Sequence, residues 1–85
     1  MTYRSTKKFN RQLAGLKPAE QQRCLKRIAQ FKTNPAHPLL RVHMLTGKYG
    51  GHHSISAGGD LRIIFFREEN YTVFVAIGSH SQLYG

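Results

Sequence analysis

The sequence predicts an α+β domain in which two N-terminal helices pack on a three- to four-stranded antiparallel sheet. Three observations favour this fold class: apolar residues recur at helical spacing before residue 33, two X-Pro pairs follow, and β-forming runs separated by short turns fill the rest. A chain of 85 residues has room for one hydrophobic core. We therefore assign residues 1–85 to a single domain.

The first helix is predicted from apolar spacing. Phe9, Leu13 and Leu16 recur at i, i+4 and i+7, so they share one face of a helix. Ser5 or Thr6 is placed to cap its first turn, because a hydroxyl can accept a hydrogen bond from an unpaired main-chain N–H.

A second helix is expected to begin at Pro18, because proline suits the first helical turn. Glu20 follows close to the positive end of the helix dipole, where a carboxylate is favourable. The predicted apolar stripe of this helix consists of Cys24, Leu25, Ile28 and Phe31. The opposite, polar face is predicted to carry Arg23, Lys26, Arg27 and Gln30.

The remainder of the chain has the pattern of a β-meander. Asn34-Pro35 and His37-Pro38 end the helix, because the residue before a proline is pushed out of helical geometry. Short turns at Gly58-Gly59 and at 68–70 imply antiparallel pairing. The predicted strands cover residues 52–57, 61–67 and 71–77, with a short edge strand around 2–4. One sheet face should take the helices, and the other should be partly exposed or covered by a tail or a partner chain.

Charge and cysteine content narrow the class of partner and the compartment. Thirteen Lys and Arg against four Asp and Glu give a net charge of +9, which favours binding to polyanions. Cys24 is the only cysteine, so no internal disulfide forms and a reducing compartment is expected. No run of about 18 apolar residues and no secretory signal pattern is present. We therefore expect a cytoplasmic protein that does not bind membranes.

The residue inventory excludes several kinds of active site. With four carboxylates in the chain, two of them in a predicted turn, a two-carboxylate glycosidase or a magnesium nuclease is poorly supported. No G-x-S-x-G elbow indicates a serine hydrolase. The spacing of the five histidines matches no zinc pattern, so we expect no metal.

Acid–base cleavage of RNA is a chemistry that the sequence can supply. It needs a base, an acid and a cation for the phosphorane charge. Asp60 and Arg62 lie two residues apart in a predicted strand, so their side chains are expected on the same sheet face, and His80 follows the neighbouring strand. From spacing alone, a surface ion pair between Asp60 and Arg62 remains an open alternative, as does a packing role for Tyr84.

Four ordered blocks in the C-terminal half resemble a known family. They match, at corresponding spacing, the patterns R-x-H-x-L-x-G, G-Y-R-S-I, G-D-x-R-x-I-Y and I-G-T-H-x-x-L-Y/F, and they cover residues 41–47, 50–55, 59–66 and 77–84. This half resembles the RelE/StbE-type toxins of bacterial type II toxin–antitoxin modules, most closely the YafQ-like branch of the RelE/ParE superfamily. Residues 1–40 agree in layout but carry no motif. The resemblance implies a ribosome-dependent mRNA endoribonuclease that uses no cofactor and is held inactive by a cognate antitoxin.

The resemblance also implies a role for each of five residues. His80 occupies the position of the catalytic histidine of the YafQ-like branch and is expected to act as general acid or base. His43 and Asp60 are expected to assist proton transfer or to shape the site. Arg62 matches the arginine that contacts the scissile phosphate, and Tyr84 matches the terminal aromatic residue that orients the nucleotide.

Two positions depart from the family pattern. The YafQ-like toxins have a histidine where this chain has Ser56, and His53 replaces an arginine. Because His52, Ser54 and Ser56 share a strand face in the predicted strand, His52 is a candidate to replace the missing imidazole. These departures keep open a catalytically weakened relative that only binds antitoxin or RNA. A ParE-like DNA gyrase inhibitor is the other alternative.

Contacts to ribosomal RNA and mRNA are expected from the basic residues, and binding should weaken steeply with salt. For His52 and His53, a role as solvated strand residues is also open. The candidates for RNA contact are Lys7, Lys8, Arg11, Arg23, Lys26, Arg27, Lys48, His52 and His53.

Overall fold

The computed structural model describes residues 1–84 and arranges three α-helices around one five-stranded sheet. The helices are α1 (Lys7–Ala14), α2 (Pro18–Thr33) and α3 (His80–Tyr84). The strands are β1 (Thr2–Ser5), β2 (His43–Met44), β3 (His53–Ser56), β4 (Leu61–Arg67) and β5 (Tyr71–Ser79). Two single-turn 3-10 helices, Pro38–Leu40 and Gly47–Tyr49, lie in the connections. The predicted α+β class is confirmed.

Both N-terminal helices begin where the sequence predicts. The Thr6 hydroxyl accepts a 3.0 Å hydrogen bond from the Phe9 main-chain N–H and so caps α1. Pro18 opens α2, and the Glu20 carboxylate accepts a 3.2 Å bond from the Lys17 N–H just before it. These bonds satisfy N–H groups that have no partner within a helix, which fixes both starting points.

The buried stripe of α2 is narrower than predicted. Cys24 and Phe31 are buried, and Ile28 packs partly buried against the same core. Leu25 is 51% exposed, so its predicted place in the stripe is wrong. Because α2 packs on a single layer, only one narrow face is covered, and Leu25 lies about 100° around the helix from Cys24.

The sheet is mixed, with the strand order β1-β5-β4-β3-β2. Strands β2 to β5 pair antiparallel, whereas β1 pairs parallel with β5, from Thr2 opposite Tyr71 to Ser5 opposite Phe74. The predicted three- to four-stranded antiparallel sheet is therefore wrong in strand number and at this edge. A parallel neighbour requires a long connection, and both helices lie between β1 and β5 in the chain. The added strand β2 has two residues, too few to show a periodic pattern.

Alternation along β4 divides the sheet into two faces. Leu61, Ile63 and Phe65 join the main core beneath α1 and α2. Ile64 belongs to a second, smaller core on the opposite face, where it packs with Ala76 and Leu83. The β3–β4 turn depends on Gly58 and Gly59, whose φ angles of +93° and +55° favour glycine, as the sequence predicts.

The C-terminal tail covers one end of the face opposite α1 and α2. From the sequence we expect the last strand over 71–77 and no helix after it, but residues 80–84 form α3. Ser79 and Gln82 make a reciprocal cap: the Gln82 N–H donates to Ser79 Oγ at 3.2 Å, and the Ser79 N–H donates to Gln82 Oε1 at 2.8 Å. This is the capping box S-x-x-Q, which turns the chain from β5 into a helix. Among residues 1–84, no helix combines the length and the apolar character that crossing a membrane requires.

Candidate active site

A cavity of about 480 Å³ opens on the sheet face away from α1 and α2. It brings together four of the five residues that the resemblance singles out, from β2, β4 and α3. The predicted residues in its lining are His43, Arg62, His80 and Tyr84. Met44, Leu45, Thr46 and Ser54 complete the lining. Two imidazoles, a guanidinium and a phenol therefore share one concave surface.

The His43 imidazole is held in one tautomer by the main chain just before β2. Its Nδ1 lies 3.0 Å from the carbonyl oxygen of Arg41. Because a carbonyl only accepts hydrogen bonds, Nδ1 carries the proton, and a neutral ring then has its lone pair on Nε2. In the β2–β3 register His43 lies opposite Ser54, another residue of the cavity lining. A fixed tautomer of this kind suits an imidazole that accepts a proton through Nε2.

Arg62 supplies the positive charge of the cavity. The residue is half-buried on β4, and its Nη1 donates 3.0 Å hydrogen bonds to the carbonyl oxygens of Gly59 and Leu61. The guanidinium thus bonds the carbonyls of the two residues that flank Asp60, whereas the Asp60 carboxylate accepts from the His80 N–H. A guanidinium carries five N–H donors. The Nη1 bonds fix its position, and the donors on Nε and Nη2 are suited to a phosphate.

His80 and Tyr84 reach the cavity from α3. They are four residues apart, so they lie on the same face of the helix. Their ring centroids are 4.7 Å apart at an interplanar angle of 58°. His80 is exposed, whereas Tyr84 is half-buried and packs edge-on against Tyr49. The capping box at Ser79 and Gln82 thus decides where both side chains lie.

Asp60 lies outside this cavity. It occupies the turn before β4, so the prediction that it shares a strand face with Arg62 is wrong. Its Oδ2 accepts a 3.3 Å hydrogen bond from the main-chain N–H of His80. Its side chain lines a neighbouring cavity together with Arg23 and Gln82. The carboxylate therefore contacts the backbone that starts α3.

Two hydroxyl groups in the cavity lining lack partners. Ser54 Oγ and Tyr84 OH are both buried, and neither makes a hydrogen bond within residues 1–84. A buried hydroxyl without a partner costs about 1–3 kcal/mol. Sequence reasoning did not single out Ser54, although its alternation with Ile55, which is in the main core, places it on the cavity face. Unpaired polar atoms in a cavity are typical of a site that binds a polar ligand.

Solved toxin structures share this fold. A crystal structure of YafQ from E. coli strain BL21(DE3) has a TM-score of 0.85 at 14% identity, over 98% of this chain and 97% of that one. The chain has the same fold as this YafQ structure. A DinJ–YafQ complex from E. coli has a TM-score of 0.74 at 17% identity, over 98% of this chain and 97% of that one. A metal-bound toxin from Helicobacter pylori has a TM-score of 0.71 at 24% identity, over 99% of each chain. No protein-family model and no curated protein matches the sequence.

His52 does not line the cavity in place of the histidine that the family pattern has at the position of Ser56. Ser56 lies opposite Arg62 in the β3–β4 register, and its hydroxyl accepts a 3.3 Å bond from the Gly58 N–H. The His52 ring packs instead against Tyr49 and Phe66, at centroid distances of 6.0 and 5.8 Å. The imidazoles that line the cavity are therefore those of His43 and His80.

His53 lies on the opposite sheet face. Its ring stacks on that of Phe65 in the main core, with ring centroids 5.4 Å apart and an interplanar angle of 20°. Its Nδ1 is buried without a hydrogen-bond partner in the described chain. The alternative of a solvated strand residue is wrong for this half-buried side chain.

The lysines and arginines that were predicted to contact RNA fall into two groups. Arg23 and Arg27 are tied to the protein backbone. Arg23 Nε donates a 3.1 Å hydrogen bond to the carbonyl oxygen of Ala57. Arg27 Nη1 donates hydrogen bonds of 2.8 and 3.3 Å to the carbonyl oxygens of Leu39 and Ser56. The second group has exposed side chains that make no hydrogen bond to the backbone within residues 1–84, and it consists of Lys7, Lys8, Arg11, Lys26 and Lys48. Those five side chains are free to turn towards a polyanion.

No metal-binding arrangement is found in the described chain. Residues 1–84 contain no group of three or more His, Cys, Asp or Glu side chains that could hold a metal ion. Cys24 is fully buried in the main core, where burial raises the pKa of its thiol to about 11. A thiol with so high a pKa is a packing residue rather than a nucleophile.

Proposed function

We propose that this chain is the toxin of a type II toxin–antitoxin system and that it cleaves mRNA on the ribosome. The observation that carries the proposal is the cavity in which His43, Arg62, His80 and Tyr84 meet. These side chains supply a base, an acid, a cation and an aromatic ring, the set that acid–base cleavage of RNA needs. The RelE/ParE toxin fold supports the same class of activity.

The cavity side chains divide the reaction between them. His43 Nε2 removes the proton of the 2′-hydroxyl, and the 2′-oxygen attacks the adjacent phosphorus. Arg62 stabilises the additional negative charge of the phosphorane. His80 protonates the departing 5′-oxygen, which leaves a 2′,3′-cyclic phosphate and a 5′-hydroxyl. Tyr84 holds the nucleotide against α3. Protein side chains perform every step of this scheme, so it requires no metal.

The proposed partners are the ribosome with its mRNA and a cognate antitoxin, all in the cytoplasm. The net charge of +9 and the exposed lysines supply attraction to ribosomal RNA. One of the similar structures is a toxin–antitoxin complex of DinJ and YafQ. We expect the antitoxin of this chain to be acidic or amphipathic, with a segment that orders on binding.

Expression in a bacterial host tests the proposed function. Wild type should arrest growth, whereas His80→Ala and Arg62→Ala should not. Lys32→Ala serves as a control, since this exposed residue lies on α2 behind the sheet. Thermal melts of the purified variants check that each is folded. Equal arrest from all four proteins would rule out the assigned catalytic residues, and a DNA-damage response without mRNA cleavage would indicate a gyrase inhibitor.

A second candidate function is supported by Ser56. Neither Ser56 nor His52 adds a third imidazole to the cavity, so this chain has fewer acid–base groups than the YafQ-like pattern. A weakened relative would still bind antitoxin or RNA through the same surfaces. Harmless expression of folded, abundant wild-type protein without an antitoxin would favour this candidate. Restored arrest by Ser56→His would show that the missing imidazole is the cause.

A further inference from the structure

Six aromatic and imidazole rings form a continuous series on the sheet face that α1 and α2 leave open. Successive rings contact each other at centroid distances between 4.7 and 6.0 Å. The series runs in the order His80, Tyr84, Tyr49, His52, Phe66 and Tyr71. We call it the ring track. It begins at the catalytic cavity and ends on β5, beside the edge strand β1.

The far end of the ring track is accessible. Tyr71 is 38% exposed, and Phe66 and His52 are half-buried. A second cavity, of about 530 Å³, adjoins Tyr71 and is lined also by Arg4 and Val73. In the β1–β5 register Arg4 lies opposite Val73, so both belong to the open face. A large apolar ring beside a cation in an open cavity is a suitable receptor for a nucleobase and its phosphate.

Positive charge accompanies the rings along this face. The Lys48 ammonium lies 5.4 Å from the Tyr49 ring centroid, Arg62 lines the catalytic cavity, and Arg4 lies beside Tyr71. Cations are therefore present near the start, the middle and the end of the track. Glu68 and Glu69 lie in the β4–β5 turn, where their charges would repel phosphates. This repulsion limits the track to the sheet itself.

We propose that the ring track binds single-stranded RNA next to the cleaved bond, an inference that rests on the proposed function. Bases stack on the exposed rings, and Arg4, Lys48 and Arg62 contact phosphates. The combination of stacked rings with interleaved cations is what sequence-tolerant binding of a single strand uses. A purely apolar docking surface for a protein segment would not need cations at these three positions. The track therefore extends the substrate site from the cavity to β1.

Binding of a fluorescently labelled oligouridylate of about six nucleotides tests this inference. The full chain with His43→Ala is used as the parent, so that the RNA stays intact and all six rings of the track remain. Tyr71→Leu should weaken binding by at least about fivefold, because a leucine is apolar but cannot stack, whereas Tyr71→Phe should stay within about twofold. Arg4→Ala should weaken binding and reduce its dependence on salt concentration. Lys32→Ala, a cation behind the sheet, should bind like the parent.

Unchanged affinity in both Tyr71→Leu and Arg4→Ala would overturn the inference. Loss of self-association or of antitoxin binding in Tyr71→Leu, without a change in RNA affinity, would also overturn it and assign the face to a protein partner. The proposed cleavage is judged separately, by the growth arrest of wild type against His80→Ala. Ring-dependent RNA binding without any growth arrest would support the ring track and contradict the proposed cleavage of mRNA.

Discussion

The main-chain N–H of His80 donates a 3.3 Å hydrogen bond to the carboxylate of Asp60. Asp60 belongs to the turn before β4, and His80 is the first residue of α3. The bond therefore joins the turn that leads into β4, the strand of Arg62, to the helix that carries His80 and Tyr84. This contact makes Asp60 a residue that positions the imidazole, and its carboxylate lies outside the cavity where the proton transfers are proposed.

Substitutions at Asp60 separate positioning from proton transfer. An asparagine keeps an oxygen that can accept the His80 N–H, so Asp60→Asn should retain most of the mRNA cleavage. Asp60→Ala removes the acceptor, and we expect cleavage to fall about tenfold or more, since small displacements of catalytic groups are costly. Rates are measured on ribosome-bound mRNA. Equal loss in both variants would instead assign the carboxylate a direct role in proton transfer.

Removal of the Ser54 hydroxyl should leave the fold intact or stabilise it. Its Oγ is buried without a hydrogen-bond partner inside residues 1–84, so Ser54→Ala should raise the free energy of unfolding by up to about 1 kcal/mol. Cleavage should fall, because the hydroxyl lines the cavity. Ser56→Ala is the matched control. It removes the acceptor of the hydrogen bond from the Gly58 N–H and should lower the free energy of unfolding by about 0.5–1.5 kcal/mol. Urea denaturation measures both, and destabilisation by Ser54→Ala would contradict this interpretation.

The elements that follow a long apolar period could be predicted from sequence. The helix starts at Lys7 and Pro18 and the strand 61–67 agree with their local patterns, since capping, proline and β-branching act within a few residues. The pairing of β1 with β5 could not be predicted, because parallel pairing depends on how the helices return the chain. Helix α3 did leave a local signal, the capping box at Ser79 and Gln82.

Which residues line the candidate site could be predicted where a motif names the residue, and could not be predicted where strand register decides. His43, Arg62, His80 and Tyr84 line one cavity as the resemblance leads one to expect. The place of Asp60 depends on where β4 begins, and a shift of one residue moves a side chain to the other face. The packing of His52 on Phe66 likewise depends on cross-strand register, which sequence spacing does not give.

Arg27 should prove structural, despite its place among the predicted RNA contacts. Its Nη1 bonds the carbonyl oxygens of Leu39 and Ser56, so Arg27→Ala leaves two carbonyls with less hydrogen bonding and should lower the free energy of unfolding by about 1–3 kcal/mol. Lys26→Ala, one residue earlier and exposed, should change it by less than about 0.5 kcal/mol. Denaturant unfolding of both measures the difference. Equal stability would show that the Arg27 bonds contribute nothing.

The buried thiol of Cys24 should make the folded chain less stable at alkaline pH. Burial raises the pKa of its thiol from 9.0 to about 11 in the folded chain, so the unfolded chain releases this proton first as pH rises. The stability that the protonated Cys24 thiol contributes to the folded chain is fully present below pH 9 and is lost between pH 9 and about 11. Wild type should therefore lose about 2–3 kcal/mol more than Cys24→Ala over that interval. Parallel pH profiles of the two proteins would contradict a buried, protonated thiol.

Cleavage of a defined mRNA in a reconstituted translation reaction tests the central claim most directly. The 5′ ends of the fragments are mapped by primer extension for wild type, His80→Ala and Arg62→Ala, each checked for folding. We predict discrete cuts by wild type that depend on ribosomes and fall by at least about a hundredfold in both variants. Intact mRNA with folded wild type, or undiminished cutting by His80→Ala and Arg62→Ala, would contradict the account.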